Sequence, residues 1–167
     1  MKKRWGNLIK WLNFTQRRKG FYAKSAKILK NFINLLLLKL LTMTENEISY
    51  AIIGIAMELH KNIGAGLLES AYENALVYDL REKGFEVKQQ VAMPFVYKEV
   101  KQDIGYRIDI LVENKVLIEI KSVENLAPVH FSQTLTYLKL SGMKLGLLIN
   151  FNNKLLKHGI HRIVNDL

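Results

Sequence analysis

The sequence has no cysteine, only two prolines and no long hydrophobic run. Without cysteine, the chain has no disulfide scaffold, no cysteine-based zinc site and no thiol nucleophile. Its longest apolar run, residues 35–38 continued by Leu40 and Leu41, is far shorter than the ~20 residues that span a bilayer. We therefore expect no transmembrane segment.

Several catalytic motifs are also missing. The sequence contains no Gly-rich phosphate loop, no G-x-S-x-G elbow and no H-E-x-x-H helix. A kinase, an NTPase and a serine hydrolase therefore lack support. What is present is a chain of 167 residues, 49% of them hydrophobic. That length is enough for one core, and the composition is too apolar for a disordered protein.

The positive charge is confined to one end of the chain. Residues 1–42 contain eleven of the 25 Lys and Arg residues and none of the 15 Asp and Glu residues. The remaining 14 basic and 15 acidic residues give residues 43–167 a net charge of −1. The formal charge of +10 therefore describes a basic N-terminal extension, residues 1–42, and not the nearly neutral domain that follows it.

The basic extension admits several interpretations. Five apolar residues among its lysines fit a basic amphipathic helix on a membrane or phosphate surface: Trp5, Leu8, Ile9, Trp11 and Leu12. An acid-free basic extension also resembles a transit peptide, whereas the lack of a small-residue cleavage site argues against a secretory signal. The alternative is that translation starts at Met43 and that residues 1–42 are not native.

Hydrophobic periodicity predicts one α/β domain, residues 43–167, with a mixed central sheet flanked by helices. Thr44 and Glu47 form a capping box at the start of a helix, and Pro128 suits the first turn of a later one. The predicted helices cover residues 44–61, 67–83 and 128–141, and the predicted strands cover residues 86–91, 95–97, 106–112, 116–121 and 145–151. Residues 98–105 are expected to be a loop, and the tail from residue 152 is ambiguous.

The hairpin predicted over residues 106–121 carries the strongest chemical signal. Asp109 interrupts an apolar strand, and Glu119 and Lys121 share a face of the next strand because they are two residues apart. Carboxylates that face into a sheet are costly unless a partner such as a divalent cation compensates them. Two structural alternatives remain, namely charges placed on an edge strand against aggregation, or an ion pair between Lys121 and one acid.

The length of the hairpin loop decides whether the two carboxylates meet. A two-residue turn would set Asp109 opposite Ile118, and the carboxylates would lie on opposite faces of the sheet. A three-residue loop, residues 113–115, would set Asp109 opposite Glu119. Metal chemistry requires the second register, which we therefore predict.

Other polar residues recur at helical spacing. Gln133 and Tyr137 lie four apart on the last predicted helix, and Glu69 and Tyr72 lie three apart on the second, so each pair shares a helix face. Each residue taken singly is typical of packing or of a solvated helix surface. His60, at a helix end, either lines the site or has a core or capping role. The order E…D…E-x-K…Q-x-x-x-Y, however, favours one common site over coincidence.

Residues 66–72, Gly-Leu-Leu-Glu-Ser-Ala-Tyr, carry the signature of the bacterial GxxExxY protein family, which the chain resembles from about residue 45 to 164. Six further blocks accompany the signature: Glu58-Leu59-His60, Gly105-Tyr106-Arg107-Ile108-Asp109, Glu119-Ile120-Lys121, Pro128-Val129-His130, Gln133-Thr134-Leu135-Thr136-Tyr137 and Leu148-Ile149-Asn150-Phe151-Asn152. That family is placed in the PD-(D/E)XK nuclease superfamily, and these blocks resemble its RecB and lambda-exonuclease branch. The resemblance implies a restriction-endonuclease-like core and excludes residues 1–42.

The resemblance also implies roles for the site residues. The ligands of Mg²⁺ or Mn²⁺ would be Asp109, Glu119, Glu69 and the carbonyl oxygen of Ile120. Lys121 would orient or polarise the attacking water. Four further residues would position nucleic acid or the site itself: Gln133, Tyr137, His60 and Arg107, the last of which the predicted register sets opposite Lys121.

The first function that we predict is a cytoplasmic, Mg²⁺- or Mn²⁺-dependent nuclease that hydrolyses phosphodiester bonds, in DNA rather than RNA. The chemistry agrees, because carboxylates without cysteine select a hard cation over zinc. The alternative is a catalytically inactive nuclease-fold module that binds nucleic acid or a protein partner. A domain charge of −1 favours the alternative, since strong DNA binders usually carry a basic face.

Overall fold

The computed structural model describes residues 26–32 and 43–167. The chain divides into two units between Thr42 and Met43. In the first unit, residues 26–32 form a short helix, α1, with several exposed apolar side chains: Ile28, Leu29 and Phe32. The amphipathic helix predicted around residues 5–12 lies outside the described residues.

The second unit, Met43–Leu167, has the predicted α/β class, a mixed sheet flanked by helices. Its helices are α2 (Glu45–Ile63), α3 (Glu69–Glu82) and α4 (Pro128–Ser141). Its strands are β1 (Val87–Tyr97), β2 (Val100–Val112), β3 (Val116–Lys121), β4 (Leu145–Asn150) and β5 (Ile160–Val164). A short 3-10 helix, Leu156–His158, precedes β5.

Helix α2 begins at the predicted capping box. The Thr44 hydroxyl accepts a hydrogen bond from the Glu47 amide at 3.3 Å, and the Glu47 carboxylate accepts one from the Thr44 amide at 2.8 Å. The helix ends before Gly64, whose φ of 75° is a conformation that glycine adopts without steric cost. The predicted capping box is therefore observed, and the helix runs two residues beyond its predicted end at residue 61.

The five strands form one sheet in the order β1-β2-β3-β4-β5. Strands β3 and β4 are parallel and are connected through α4, whereas the other neighbours are antiparallel. Parallel strands are usually covered on both faces, so their sequences are runs of apolar residues. All six residues of β4 are buried, as are five of the six in β3. The carboxyl ends of β3 and β4 meet at one edge of the sheet, where α/β proteins commonly bind ligands.

Strand β1 differs from the prediction of two short strands, because it is one strand of 11 residues. Pro94 lies within it, and the register with β2 shifts between Met93 and Phe95. Proline cannot donate a hydrogen bond to the ladder, so it disturbs the pairing locally. Pairing resumes on the far side, and the proline therefore marks an irregularity and not an end.

Strand β2 begins earlier than predicted. The polar residues 98–105 indicate a loop, but the chain turns at Lys98, whose φ is 55°, and is a strand again from Val100. Backbone pairing with β1 extends to Tyr97↔Val100. A polar segment is able to pair in this way because the ladder uses only backbone groups.

The ambiguous tail forms the fifth strand. Strand β5 pairs with β4 in antiparallel orientation, from Ile149↔Ile160 to Leu145↔Val164. The turn before it requires Gly159, because a Cβ atom there would collide with the backbone oxygen of Asn150. The final element order is therefore α-α-β-β-β-α-β-β and not the predicted α-α-β-β-β-β-α-β.

The core lies where the helices cover the sheet. Fully buried positions include Ile48 and Ile52 on α2 and Leu76 and Leu80 on α3. Burying each such side chain stabilises the fold by roughly 1.5–3 kcal/mol. Among the described residues, no helix is both long and apolar enough to cross a membrane.

Candidate active site

The β2–β3 hairpin has the predicted register. Val112 pairs with Val116, which leaves a three-residue loop of residues 113–115 and confirms that prediction. Continued toward the open end of the hairpin, the register sets Asp109 opposite Glu119. Directly opposed residues lie on the same face of a sheet, so the hairpin brings the two carboxylates together.

Asp109 replaces a backbone group at the point where the two strands separate. The observed pairs of β2 and β3 end at Ile110↔Ile118. Beyond them, Oδ2 of Asp109 accepts a hydrogen bond from the Ile120 amide at 2.8 Å. This bond orients the Asp109 carboxylate.

The electrostatic surroundings of Asp109 are mostly unfavourable to its charge. Burial raises the pKa of Asp109 above its ordinary value. The Ile120 amide and the Lys121 ammonium lower this pKa, whereas the carboxylates of Glu73 and Glu69 raise it further. The net pKa shift is upward.

Glu119 is 2% exposed. Its Oε1 accepts a hydrogen bond from Nζ of Lys121 at 2.6 Å, whereas its buried Oε2 has no hydrogen-bond partner among the described residues. Burial, followed by the charge of Asp109, raises the pKa of Glu119 to about 7. An unpartnered buried carboxylate oxygen is costly, so this atom indicates a position where a cation or donor would be favourable.

Lys121 is held in its protonated form. Burial by itself would lower the pKa of Lys121, but the hydrogen bond to Glu119 raises it above its ordinary value. The negative charges of Glu119, Asp109 and Glu69 act in the same direction. Lys121 is therefore a fixed cation among carboxylates, which agrees with the predicted sharing of a strand face with Glu119.

Glu69 is the first residue of α3 and reaches across to the end of β3. Its Oε1 accepts a hydrogen bond from the Ser122 amide at 3.0 Å, and the Ser122 hydroxyl donates to the Leu67 carbonyl at 2.7 Å. The negative charge of Glu69 raises the pKa of both Asp109 and Glu119. The structure thus brings this predicted residue to the two strand carboxylates.

Tyr72 contacts the loop that precedes Glu69. The side chain is fully buried, and its hydroxyl donates to the Gly64 carbonyl at 2.8 Å and accepts from the Leu67 amide at 3.1 Å. Its ring stacks on Phe151 with a centroid distance of 4.5 Å. Tyr72 therefore holds the loop between α2 and α3 from which Glu69 emerges.

His60 is nearly buried and does not line the cavity that contains Asp109. The residue is 8% exposed, and its Nε2 lies 3.1 Å from the Phe151 carbonyl oxygen. The Phe151 amide in turn donates to the Lys121 carbonyl at 2.8 Å. His60 lines a cavity that does not include Asp109, so its connection to the site runs through Phe151.

Gln133 and Tyr137 contact each other on α4. Nε2 of Gln133 donates to the Tyr137 hydroxyl at 2.8 Å. Tyr137 is 4% exposed, meets the Tyr106 ring edge-on at 6.1 Å and packs with Ile108, the residue before Asp109. Among the described residues, the hydrogen bond of Gln133 goes to its helix partner and not to the carboxylates.

Arg107 is exposed on β2, where it pairs with Ala92 of β1. It shares a strand face with Asp109 because the two are two residues apart. The observed β2–β3 pairs end before reaching it. The predicted pairing of Arg107 with Lys121 is therefore not observed, because the strands separate at Asp109.

Sequence reasoning overlooks Glu73 and Gln90. Glu73 is 8% exposed, and its Oε1 accepts a hydrogen bond from Nε2 of Gln90 at 2.7 Å. Glu73 lies four residues after Glu69, a spacing that places both on one helix face, so a sequence signal for it exists. Gln90 has no such signal, because strand pairing brings it level with Asp109.

The donor set suits a hard divalent cation, because every acidic donor is an oxygen. Within residues 26–32 and 43–167, no three His, Cys, Asp or Glu side chains converge on a metal position. Mg²⁺, however, usually takes only one or two carboxylates and completes its shell with water and substrate phosphate. Asp109 and Glu119, with the unpartnered Oε2, meet that requirement.

Comparison with known proteins identifies one family. A family model described as the PD-(D/E)XK nuclease superfamily matches residues 46–163. That range contains every site residue described above. Nucleases of this superfamily generally use divalent metal ions. No curated protein and no solved structure matches the chain significantly.

Proposed function

Because this chain belongs to the PD-(D/E)XK nuclease superfamily, we propose that it hydrolyses phosphodiester bonds with the help of Mg²⁺ or Mn²⁺. DNA is favoured over RNA as the substrate. The observation that carries the proposal is the state of Glu119. Its carboxylate is 2% exposed, with one oxygen bonded to Lys121 and the other without a partner in the part of the chain that the structure describes.

The cation would be held by Asp109, Glu119 and the carbonyl oxygen of Ile120, with Glu69 completing the acidic group. When bound, it would stabilise charge on the phosphate and lower the pKa of water. The Ile120 amide fixes the orientation of the Asp109 carboxylate. Keeping these carboxylates ionised and close together lowers the stability of the metal-free protein.

Lys121 would act as a point charge and not as a base. The hydrogen bond to Glu119 and the surrounding carboxylates raise the pKa of Lys121, so it remains an ammonium at neutral pH. Three N–H donors on a flexible stem suit it to orient the attacking water or to attract the phosphate.

Four further residues would position the substrate or the site. The half-buried Gln133 would offer its amide from α4 for contacts with the nucleic-acid backbone, and the buried Tyr137 would position it through their hydrogen bond. Arg107 is exposed beside Asp109 and suits a backbone phosphate. His60 would act through Phe151 on the end of β3.

We also assign the chain to the bacterial GxxExxY branch, with residues 43–167 as the catalytic domain. Its signature has a physical explanation in this fold, because Tyr72 clamps the glycine-containing turn from which Glu69 reaches Ser122. The cytoplasm is the proposed location, because bacterial DNA lies there.

The test is cleavage of nucleic acid by the full chain. Single-stranded, double-stranded and branched DNA, with RNA in parallel, are incubated with Mg²⁺, Mn²⁺ or EDTA. We expect metal-dependent cleavage that is lost in Asp109→Ala and in Lys121→Ala. Asp79→Asn, a change on α3 that lines a different cavity, is the control and should cleave like the wild type. Cleavage that survives both site substitutions would come from a contaminant and would refute the proposal.

The second candidate function is a binding module without activity, which the charge of −1 on residues 43–167 favours. It predicts a folded chain that binds nucleic acid or a protein partner but takes up no Mn²⁺ in calorimetry. Mn²⁺ binding that depends on Asp109 would exclude this candidate.

A further inference from the structure

Glu73 is a buried carboxylate close to the proposed cation site. It is 8% exposed, and its hydrogen-bond donor is the neutral amide of Gln90. Neither of the ion pairs formed between described side chains, Lys88–Glu86 and Lys121–Glu119, involves Glu73, so no described cation neutralises it. A buried carboxylate with one neutral donor is unfavourable for folding. We therefore expect Glu73 to serve a function that offsets this cost.

Gln90 adopts a backbone conformation that is unusual for a strand. Its φ of 52° lies in the left-handed region, which is sterically unfavourable for a residue with a side chain. Its neighbour Gln89 pairs with Ile110, so Gln90 is level with Asp109. Strained residues of this kind concentrate at functional sites, and here the strained residue reaches Glu73.

The charge of Glu73 acts on Asp109. After burial, it is one of the causes that raise the pKa of Asp109. Glu73, Gln90 and Asp109 line one cavity of about 570 Å³, which Glu69 also lines.

We propose that Glu73, held in place by Gln90, is an outer carboxylate that tightens divalent-cation binding at Asp109 without contacting the cation. The inference rests on the proposed function. More negative charge at a site strengthens its attraction for a dication. Groups just outside the ligands typically contribute about 10- to 100-fold to metal affinity.

A neighbouring hydrogen bond provides a matched control. Nε2 of Gln89 donates to Oδ1 of Asn74 at 2.8 Å. This bond joins the same two elements as the Gln90–Glu73 bond, one residue along each, but both of its partners are neutral. Asn74→Ala therefore breaks an α3–β1 contact without changing the charge near Asp109.

The experiment is Mn²⁺ titration calorimetry of the full chain, together with thermal unfolding of the metal-free protein. Glu73→Gln keeps the shape and removes the charge, and we expect the Mn²⁺ Kd to rise about 10-fold or more. The metal-free midpoint should not fall, because a buried charge has been removed. Gln90→Gly removes the amide and relieves the backbone strain, and should raise Kd about threefold or more. Asn74→Ala should keep the wild-type Kd.

Three outcomes overturn the inference. A wild-type Kd in both Glu73→Gln and Gln90→Gly, with binding lost in Asp109→Ala, overturns it and leaves the proposed function standing. An equal loss of affinity in Asn74→Ala assigns the effect to packing of α3 and also overturns it. A wild-type chain that binds no Mn²⁺ overturns both the inference and the proposed function. If Glu73→Gln does not fold, Gln90→Gly decides.

Discussion

Two buried polar residues on neighbouring parallel strands differ in how their hydrogen-bonding groups are used. Asn150 at the end of β4 is 1% exposed, and Glu119 on β3 is 2% exposed. The Asn150 amide accepts from the Val123 and Asn152 amides and donates to the Val123 carbonyl. Glu119, in contrast, has one oxygen bonded to Lys121 and one without a partner.

Under the proposed function, this difference separates a residue that stabilises the fold from one that would serve a reaction. Asn150 recovers in hydrogen bonds what it loses in hydration, and it fixes the loop after β3. Glu119 is incompletely compensated, so it lowers the stability of the metal-free chain. Both residues are almost fully buried, and the unpartnered oxygen distinguishes Glu119 from Asn150.

The largest expected effect is on activity. Glu119→Gln keeps the shape of the side chain but removes its charge, and we expect DNA cleavage to fall about 100- to 1,000-fold, as when one group that stabilises transition-state charge is lost. The initial rate of Mn²⁺-dependent cleavage measures this effect. A rate within threefold of the wild type would contradict the assignment of Glu119.

The converse change at Asn150 should affect stability. Asn150→Ala leaves the Val123 amide and carbonyl without their partner, so we expect the free energy of unfolding to fall by about 2–4 kcal/mol. Urea denaturation provides the measurement. Asn62→Ala, at an exposed position on α2, is the control and should change little. Equal free energies of unfolding for Asn150→Ala and Asn62→Ala would contradict the structural role of Asn150 and remove its contrast with Glu119.

The stability of the metal-free protein should depend on pH through Glu119. Burial raises the pKa of Glu119 from 4.5 to about 7 on folding. The folded state therefore holds this proton more tightly. The contribution of Glu119 to stability is complete below the lower pKa and is lost as the pH rises through the higher one.

Between about pH 5 and about pH 8, wild type should lose of the order of 1–3 kcal/mol relative to Glu119→Gln. Urea unfolding in EDTA at both pH values measures this difference. If the free energies of unfolding of wild type and Glu119→Gln differ by the same amount at both pH values, the raised pKa of Glu119 is wrong.

The smallest expected effect is at the first helix of the domain, far along the chain from the site residues. Thr44→Ala removes the capping hydroxyl and should lower the free energy of unfolding by about 1 kcal/mol. Mn²⁺ affinity and cleavage should stay at wild-type values. A marked loss of cleavage would mean that stability, and not the carboxylate cluster, limits activity.

Local sequence patterns predict those helices and strands whose ends are set by residues at or next to the ends themselves. Helix α4 begins at Pro128 and is closed by Gly142, whose φ is 69°, as expected from those two residues. The first half of β2 and the whole of β5 are not predicted, because backbone pairing with the preceding strand forms them and not a clear strand pattern of their own. Pro94 indicates a break in β1 that the neighbouring strand bridges.

The site residues also divide into those that a local sequence pattern predicts and those that only tertiary structure places. Asp109, Glu119 and Lys121 are predictable because strand alternation and the hairpin register fix their relations. The position of Glu73 is predictable from sequence, because it lies four residues after Glu69 on the same helix. The position of Gln90 is not predictable, since its φ of 52° and its alignment with Asp109 arise from tertiary structure.

The most direct test of the central claim is Mn²⁺ titration calorimetry of wild type and Glu119→Gln at about pH 8. The unpartnered oxygen of Glu119 predicts that wild type binds Mn²⁺ and that the variant binds at least about tenfold more weakly. Equal affinity in the two proteins, or no binding by wild type, would contradict the claim that this buried carboxylate belongs to a metal-dependent active site.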